Sequence, residues 1–242
     1  MTYKLLCTDV DGSIKPFYGP VDPKTADILR ELSNEMFIVM LSGRTATYLD
    51  GLAVGIGIDG MRVGLVGEEG CIILFPKDYK NYEEYIVGDK KLIEEFLHFK
   101  ETAKSILSKR LPVYFSPTRI ILTLATRNEA NFNNAYDLIK EIIEEKNMND
   151  KVYFILHKAH YVISIAPTGI NKGVALRKIM EILNVDQDEI IAIGDGLNDI
   201  PMFKTSGYSI AVGSREDVRK YANIAFDNII DALHHVRKLL TK

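Results

Sequence analysis

The chain reads as an α/β protein, a parallel sheet with helices on both faces, interrupted by an inserted α+β module. Three observations predict this. The runs Leu5-Leu6-Cys7, Phe37 to Leu41 and Ile190 to Ile193 are short and continuously apolar, as strands covered on both faces are, and each leads into Asp, Ser or Gly. Segments with apolar residues at helical spacing separate these runs. From about Pro76 the apolar runs stop and Tyr, Lys and Glu become dense, which marks a crossing into a different unit.

Taken in order, Asp22-Pro23 is a helix start, with Asp as cap and Pro at the first helical position, and Ala26, Leu29 and Leu32 follow at helical spacing. Thr45 to Ala53 predicts a second helix. Val63 to Val66 and Cys71 to Phe75 predict strands around the turn Gly67-Glu68-Glu69-Gly70. The stretch Gly55-Ile56-Gly57-Ile58-Asp59-Gly60 has the spacing of a dinucleotide fingerprint but precedes a strand instead of following one, so it reads as a loop. Beyond Pro76, a long amphipathic helix carries Leu92, Ile93, Phe96, Leu97, Ala103 and Leu107, followed by strands at Val113 to Ser116 and Ile120 to Ala125. A second helix, Ala130 to Lys146, precedes strands at Val152 to Leu156 and Tyr161 to Ala166. This α-β-β-α-β-β order implies an antiparallel sheet with both helices on one face. After Pro167-Thr168-Gly169 the α/β alternation resumes: a helix near Lys172, strand Ile190 to Ile193, a short helix, strand Tyr208 to Val212, a helix from Glu216, a strand near Ile224 to Phe226, and a closing helix from Ile229 to Leu240. The expected division is a core of residues 1–76 and 167–242 and an inserted unit of 77–166.

Composition narrows the function. The chain has 242 residues, 47% hydrophobic and 26% charged, which is a globular balance with ample core. A formal net charge of -3 gives no basic excess for a phosphate backbone, so no nucleic-acid partner is expected. No apolar stretch has membrane-spanning length and no secretory leader is evident at Met1, so the expectation is a cytoplasmic protein with no membrane partner. Cys7 and Cys71 lie far apart in apolar surroundings and read as buried thiols. Oligomeric state is not legible.

Four loops should meet beyond the carboxyl ends of the parallel strands, where open α/β sheets bind ligands. They carry Asp9 and Asp11, then Ser42-Gly43-Arg44, then Lys172 at a helix start, then Asp195, Asn198 and Asp199. So many carboxylates beside one lysine repel unless a divalent cation sits among them, and Mg²⁺ suits a few carboxylate oxygens plus a substrate phosphate. Ser42 offers a hydroxyl, Gly43 an unobstructed backbone amide and Lys172 a point charge, the donors that a phosphoryl group requires.

These motifs, Asp9-Val10-Asp11-Gly12, Ser42-Gly43-Arg44, Lys172 and Gly194-Asp195-Gly196-Leu197-Asn198-Asp199, resemble in order those of the haloacid dehalogenase superfamily of phosphatases. The inserted unit is similar to the cap of its Cof-type and phosphoglycolate-phosphatase-like subclass. The resemblance implies a Rossmann-like core and a substrate-specificity cap of residues 77–166. It implies that Asp9 attacks phosphorus, that Asp11 protonates the leaving oxygen and then activates water, and that Lys172 neutralises the phosphoryl group. Asp9, Asp11 (through its carbonyl), Asp195 and Asp199 form the implied Mg²⁺ set, and Ser42, Gly43, Arg44, Lys172 and Asn198 the implied phosphate site. A small phosphorylated metabolite, phosphoglycolate or a sugar phosphate, is the implied substrate. A phosphomutase of the same superfamily is the alternative, and a phospho-aspartate signalling or binding module a more distant one. Two departures stand at the rim: the pair Glu68-Glu69, where relatives often have Asn, and Gly213-Ser214, where many have Gly-Asn-Ala. His157, His160 and Arg119 are further candidates, in the hairpins of the inserted unit.

Overall fold

The computed structural model describes residues 3–58, 60–78, 81–213 and 215–241. These fall into two compact units, one of residues 1–87 with 171–242 and one of 88–170.

The first unit is built on an eight-stranded sheet. Its strands are β1 (Leu5–Asp9), β2 (Phe37–Leu41), β3 (Val63–Gly67), β4 (Ile72–Pro76), β5 (Tyr82–Ile86), β10 (Ile190–Gly194), β11 (Tyr208–Val212) and β12 (Ile224–Phe226), in the order β12-β11-β10-β1-β2-β3-β4-β5. The six strands from β12 to β3 are parallel, while β4 and β5 are antiparallel additions. Side-chain alternation sorts the core. Leu6, Ile38, Met40, Leu65, Ile191 and Ile193 belong to one cluster, packed with Ile28, Leu29 and Leu32 of α1 (Pro23–Glu35), Leu49 and Ala53 of α2 (Ala46–Ile56), and Leu233 and Val236 of α8 (Ile229–Leu240). Their neighbours Cys7, Val39, Leu41 and Ala192 are equally buried and by alternation face the other way. Two helices, α5 (Lys172–Leu183) and α6 (Ile200–Phe203), pack on each other, and α6 rests on β10 and β11. A short α7 (Glu216–Arg219) leads to β12.

The ends of these helices follow their caps. Asp22 accepts from the Lys24 amide at 2.8 Å with Pro23 at the first position, and Thr45 accepts from the Tyr48 amide at 3.2 Å. Thr45 is therefore a cap outside α2, not its first residue.

The second unit holds α3 (Lys90–Arg110), β6 (Tyr114–Phe115), β7 (Leu122–Ala125), α4 (Glu129–Glu145), β8 (Val152–His157) and β9 (Val162–Pro167), with an antiparallel sheet in the order β6-β7-β9-β8. Both helices cover one face. Phe96, Phe99 and Leu107 of α3 and Phe132, Ile139 and Ile142 of α4 share a core with Leu122, Leu124, Ile163 and Ile165. On the other face the paired Thr123 and Ser164 hydroxyls bond to each other at 2.9 Å.

The Tyr- and Glu-rich stretch after Pro76 contains β5, which pairs with β4 and belongs to the first unit. The stretch Gly55 to Gly60 ends α2 with Gly57 as a left-handed cap and leads into β3; its Asp59 lies outside the described residues.

Candidate active site

Strand order explains why the candidate residues meet. The chain leaves β1 toward β2 on one side and returns through β10 on the other, and the register pairs Asp9 with Leu41 and Thr8 with Ile193. The loops after β1, β2 and β10 thus begin side by side at a point where strand order reverses.

Asp9 ends β1 and is buried. Its carboxylate is paired with the Lys172 ammonium, which also donates to Asp199 Oδ1 at 2.6 Å. Lys172 is fully buried at the first position of α5. Asp9, Asp195 and Asp199 each offer a carboxylate oxygen, and these lie within 4.8 Å of one another. Burial pushes the Asp9 carboxyl well above the ordinary range, against Lys172 and with help from Asp199 and Asp195. Burial, then Asp199, raises Asp195 to about 6. Lys172 is also strongly raised: burial opposes its charge, but Asp199, Asp9 and Glu69 outweigh it. Two acids that burial disfavours as anions, Asp9 and Asp195, grouped with Asp199 at that oxygen spacing, suit a hard divalent cation held by carboxylates.

Asp199 also orders its own loop. Its Oδ2 accepts from the Asp195 and Gly196 amides at 3.0 and 2.9 Å. Asp195 Oδ1 accepts from Ser13 Oγ at 3.2 Å. Gly12 adopts a φ of +99°, and a side chain there would collide with the Asp195 carboxylate, so the loop after β1 needs glycine at that position.

Asp11 points elsewhere. Its side chain stands outside the acidic trio: Arg44 Nε reaches Oδ2 at 2.8 Å, an Arg44 terminal nitrogen reaches Oδ1 at 3.0 Å, and Lys15 Nζ reaches Oδ1 at 2.6 Å. Burial would raise its carboxyl, but the bonds from Arg44 and Lys15 prevail and hold it below the usual carboxylate value. Arg44 lies against the rings of Phe17 and Tyr48, 5.3 and 5.1 Å from their centroids.

Ser42 is buried; its Oγ accepts from the Arg44 amide at 3.1 Å and lies 3.4 Å from Asp11 Oδ2. Beside Gly43, a Cβ would stand 2.5 Å from Glu69 Oε1. Glu69 Oε2 accepts from Asn198 Nδ2 at 3.1 Å, so this acid joins the Ser42-Gly43 loop to the Asn198 loop. Glu68 and Glu69 are both buried with φ of 55° and 59°, a left-handed pair that side chains adopt only when the surroundings hold them. The first amides of α5 do not stand open: Asn171 Oδ1 accepts from Gly173 and Val174 at 3.0 Å each. Ser214 lies outside the described residues. In the second unit, Arg119 lies in the turn before β7, and His157 and His160 lie at the β8–β9 turn.

Sequence reasoning missed Lys15 and Ser13 and left Glu69 without a role. Lys15 had one available signal, a cation four residues after Asp11 directly behind the apolar Ile14.

A doubly wound sheet with a lysine-bridged acidic trio at its switch point defines an α/β enzyme carrying an α+β insertion. The chain belongs to the haloacid dehalogenase-like hydrolases: the sequence pattern of that family matches residues 88–230. It is an enzyme of the phosphatase class. It is 28% identical over 229 residues to a phosphoglycolate phosphatase of Methanosarcina acetivorans, covering 92% of this chain and 89% of that protein. A phosphoglycolate phosphatase of Nitrosopumilus maritimus is 26% identical over the full length of both. Among solved structures, a Thermoplasma acidophilum protein superposes with a TM-score of 0.75 at 18% identity, covering 100% of this chain and 99% of that one. A haloacid dehalogenase-like hydrolase from Bacteroides thetaiotaomicron gives 0.74 at 17%, covering 97% and 100%. These two likenesses establish the fold. Among the described residues no helix is long and apolar enough to cross a membrane.

Proposed function

We propose that the chain is a Mg²⁺-dependent phosphomonoesterase for a small phosphorylated metabolite, phosphoglycolate first and small sugar phosphates next, working through an aspartyl-phosphate on Asp9. The observation that carries this reading is the buried Asp9, Lys172 and Asp199 chain with Asp195 beside it. The names of the curated relatives support the choice of substrate.

Asp9, Asp195 and Asp199 would hold the cation, which supplies Lewis-acid charge against the phosphoryl oxygens. Asp9 is the nucleophile: its oxygen bonds to phosphorus as the bond to the leaving oxygen breaks, and Lys172 balances the charge. Asp11 gives its proton to the leaving oxygen. It then takes one from water, whose oxygen attacks phosphorus and frees Asp9 and inorganic phosphate. In the resting arrangement Asp11 is held as an anion by Arg44 and Lys15, so it regains a proton once Arg44 turns to the substrate's own anionic group. Ser42 and Gly43 would receive the phosphoryl oxygens, and Asn198 would steady the metal-side loop. The inserted unit is assigned substrate selection. A cytoplasmic setting belongs to the same proposal, supported by Cys7 and Cys71 as buried thiols.

The test is phosphate release from p-nitrophenyl phosphate and 2-phosphoglycolate. Asp9→Asn should abolish turnover of both, and chelation should suppress it until Mg²⁺ is restored. Activity surviving both treatments would end this mechanism.

A further inference from the structure

We propose that Lys15 is a positioning residue for the leaving-group step, the fixed anchor that keeps Asp11 in place while Arg44 is exchanged onto substrate. This rests on the reading of Asp11 as the proton donor to the leaving oxygen.

Two cations hold one carboxylate, and they differ in kind. The Lys15 side chain is 3% exposed and the Arg44 side chain 33%. Lys15 lies in a turn closed by two backbone bonds, Gly12 amide to Lys15 carbonyl at 2.7 Å and Lys15 amide to Val10 carbonyl at 3.1 Å. Its ammonium donates to Asp11 Oδ1 at 2.6 Å, to the Pro16 carbonyl at 2.8 Å and to the Phe17 carbonyl at 3.3 Å. With three acceptors and almost no water, it has nowhere else to go without leaving a buried charge unpaired. Arg44 shares the Phe17 carbonyl at 3.0 Å, but it is a third open to solvent and its planar fork suits a phosphate or carboxylate as well as it suits Asp11.

If an anionic substrate draws Arg44 away, Lys15 is the one cation left on Asp11, with the Ser42 hydroxyl at 3.4 Å from Oδ2 its other side-chain contact. A lysine that served the turn alone would be satisfied by the two carbonyls. The carboxylate contact is the shortest of the three. It fixes the one acid whose angle to the leaving oxygen matters, and a small misplacement of a proton donor lowers the rate without altering affinity.

Leaving-group dependence separates this role from a structural one. An alkyl phosphate such as 2-phosphoglycolate leaves as a basic alkoxide and needs the proton, whereas p-nitrophenolate departs nearly unaided. Lys15→Met keeps the apolar stem and removes the charge. The expected result is a fall of about tenfold or more in the alkyl-to-aryl ratio of kcat/KM, which reads the leaving-group step without the water step common to both substrates, a fraction of what a general acid contributes. Lys15→Arg should recover part of that ratio. Asp11→Asn, run in parallel, should show the same asymmetry more strongly. Equal losses on both substrates for Lys15→Met would make Lys15 a turn residue and overturn the proposal, as would an unchanged ratio. If Lys15→Met does not fold, Lys15→Gln, which can still donate to the carbonyls but carries no charge, decides in its place: turnover with the ratio at wild-type level overturns the anchor role, and a lowered ratio supports it. Absence of asymmetry in Asp11→Asn would instead show that the reading of Asp11 has failed, and the proposal with it.

Discussion

At the scale of single residues, Lys172 decides whether the acidic trio can exist. It is fully buried and bonded to Asp9 and Asp199, and removing it leaves two buried carboxylates facing each other. Breaking a buried pair from one side costs about 3–5 kcal/mol, more than the pair itself contributes. Lys172→Met should therefore lower the melting temperature by on the order of 10 °C and abolish turnover. Mg²⁺ should recover part of the lost stability but not the activity; a melting point within a degree of wild type would refute this account. Asp9, Asp11 and Asp195 were legible in the sequence because a charge just past an apolar run needs a reason, and Lys172 because it opens a helix at the same sheet edge. Lys15 and Glu69 were not. A lysine near an aspartate pairs with it only if the turn folds its chain back, and that direction depends on the Gly12 conformation and the Val10 carbonyl. Glu69 faces Asn198 because two successive residues take left-handed φ angles, which sequence does not announce for glutamate.

At the scale of elements, the seam between β3 and the loop after β2 sets the position of Arg44. Glu68 and Glu69 amides donate to the Arg44 and Ser42 carbonyls at 2.8 and 3.0 Å. This contact is possible because Gly67 has no side chain: a Cβ there would strike the Ala46 amide nitrogen and lie 3.0 Å from the Arg44 carbonyl oxygen. Gly67→Ala must push two backbones apart, so it should destabilise the protein by about 1–3 kcal/mol and reduce turnover by displacing Arg44. Gly55→Ala provides the contrast. Gly55 lies within α2 with open space around it, and alanine there should stabilise by about 0.5–1 kcal/mol. Paired thermal melts check both signs, and a neutral Gly67→Ala would mean the seam yields easily. The same scale shows where patterns were readable. Capped helices such as α1, and buried strands such as β2, followed their sequence signals closely. The strand β5 did not, because Tyr82-Glu83-Glu84-Tyr85 sits at a sheet edge, where charge replaces apolar alternation and a strand resembles a loop.

At the scale of the whole molecule, stability should depend on pH in a way that the cation reverses. Asp9 and Asp195 have raised carboxyl values, Asp195 to about 6 against an unperturbed 3.8. A native state that holds a proton more tightly than the unfolded chain is favoured while that proton stays bound. For Asp195 that advantage is lost as pH climbs through about 6, and above it the folded protein carries the cost of that buried anion; the raised Asp9 acts in the same direction. Asp11 has the opposite sign: its value is lowered, so its pairing stabilises above the unfolded value and fades only in more acidic solution. The metal-free protein should thus melt at a higher temperature near pH 5 than near pH 7.5, by on the order of 5 °C. A divalent cation needs the carboxylates as anions and displaces their protons, so its stabilisation should be larger at pH 7.5 and should level or invert the slope. Asp195→Asn separates this site from every other titrating group, since it removes one of the raised acids and weakens the cation set together. Differential scanning calorimetry of wild type and Asp195→Asn, with and without Mg²⁺, at the two pH values reads all of these terms. A slope undiminished by the substitution, or a Mg²⁺ shift of the same size at both pH values, would show that the acidic trio does not control the stability of the fold around it.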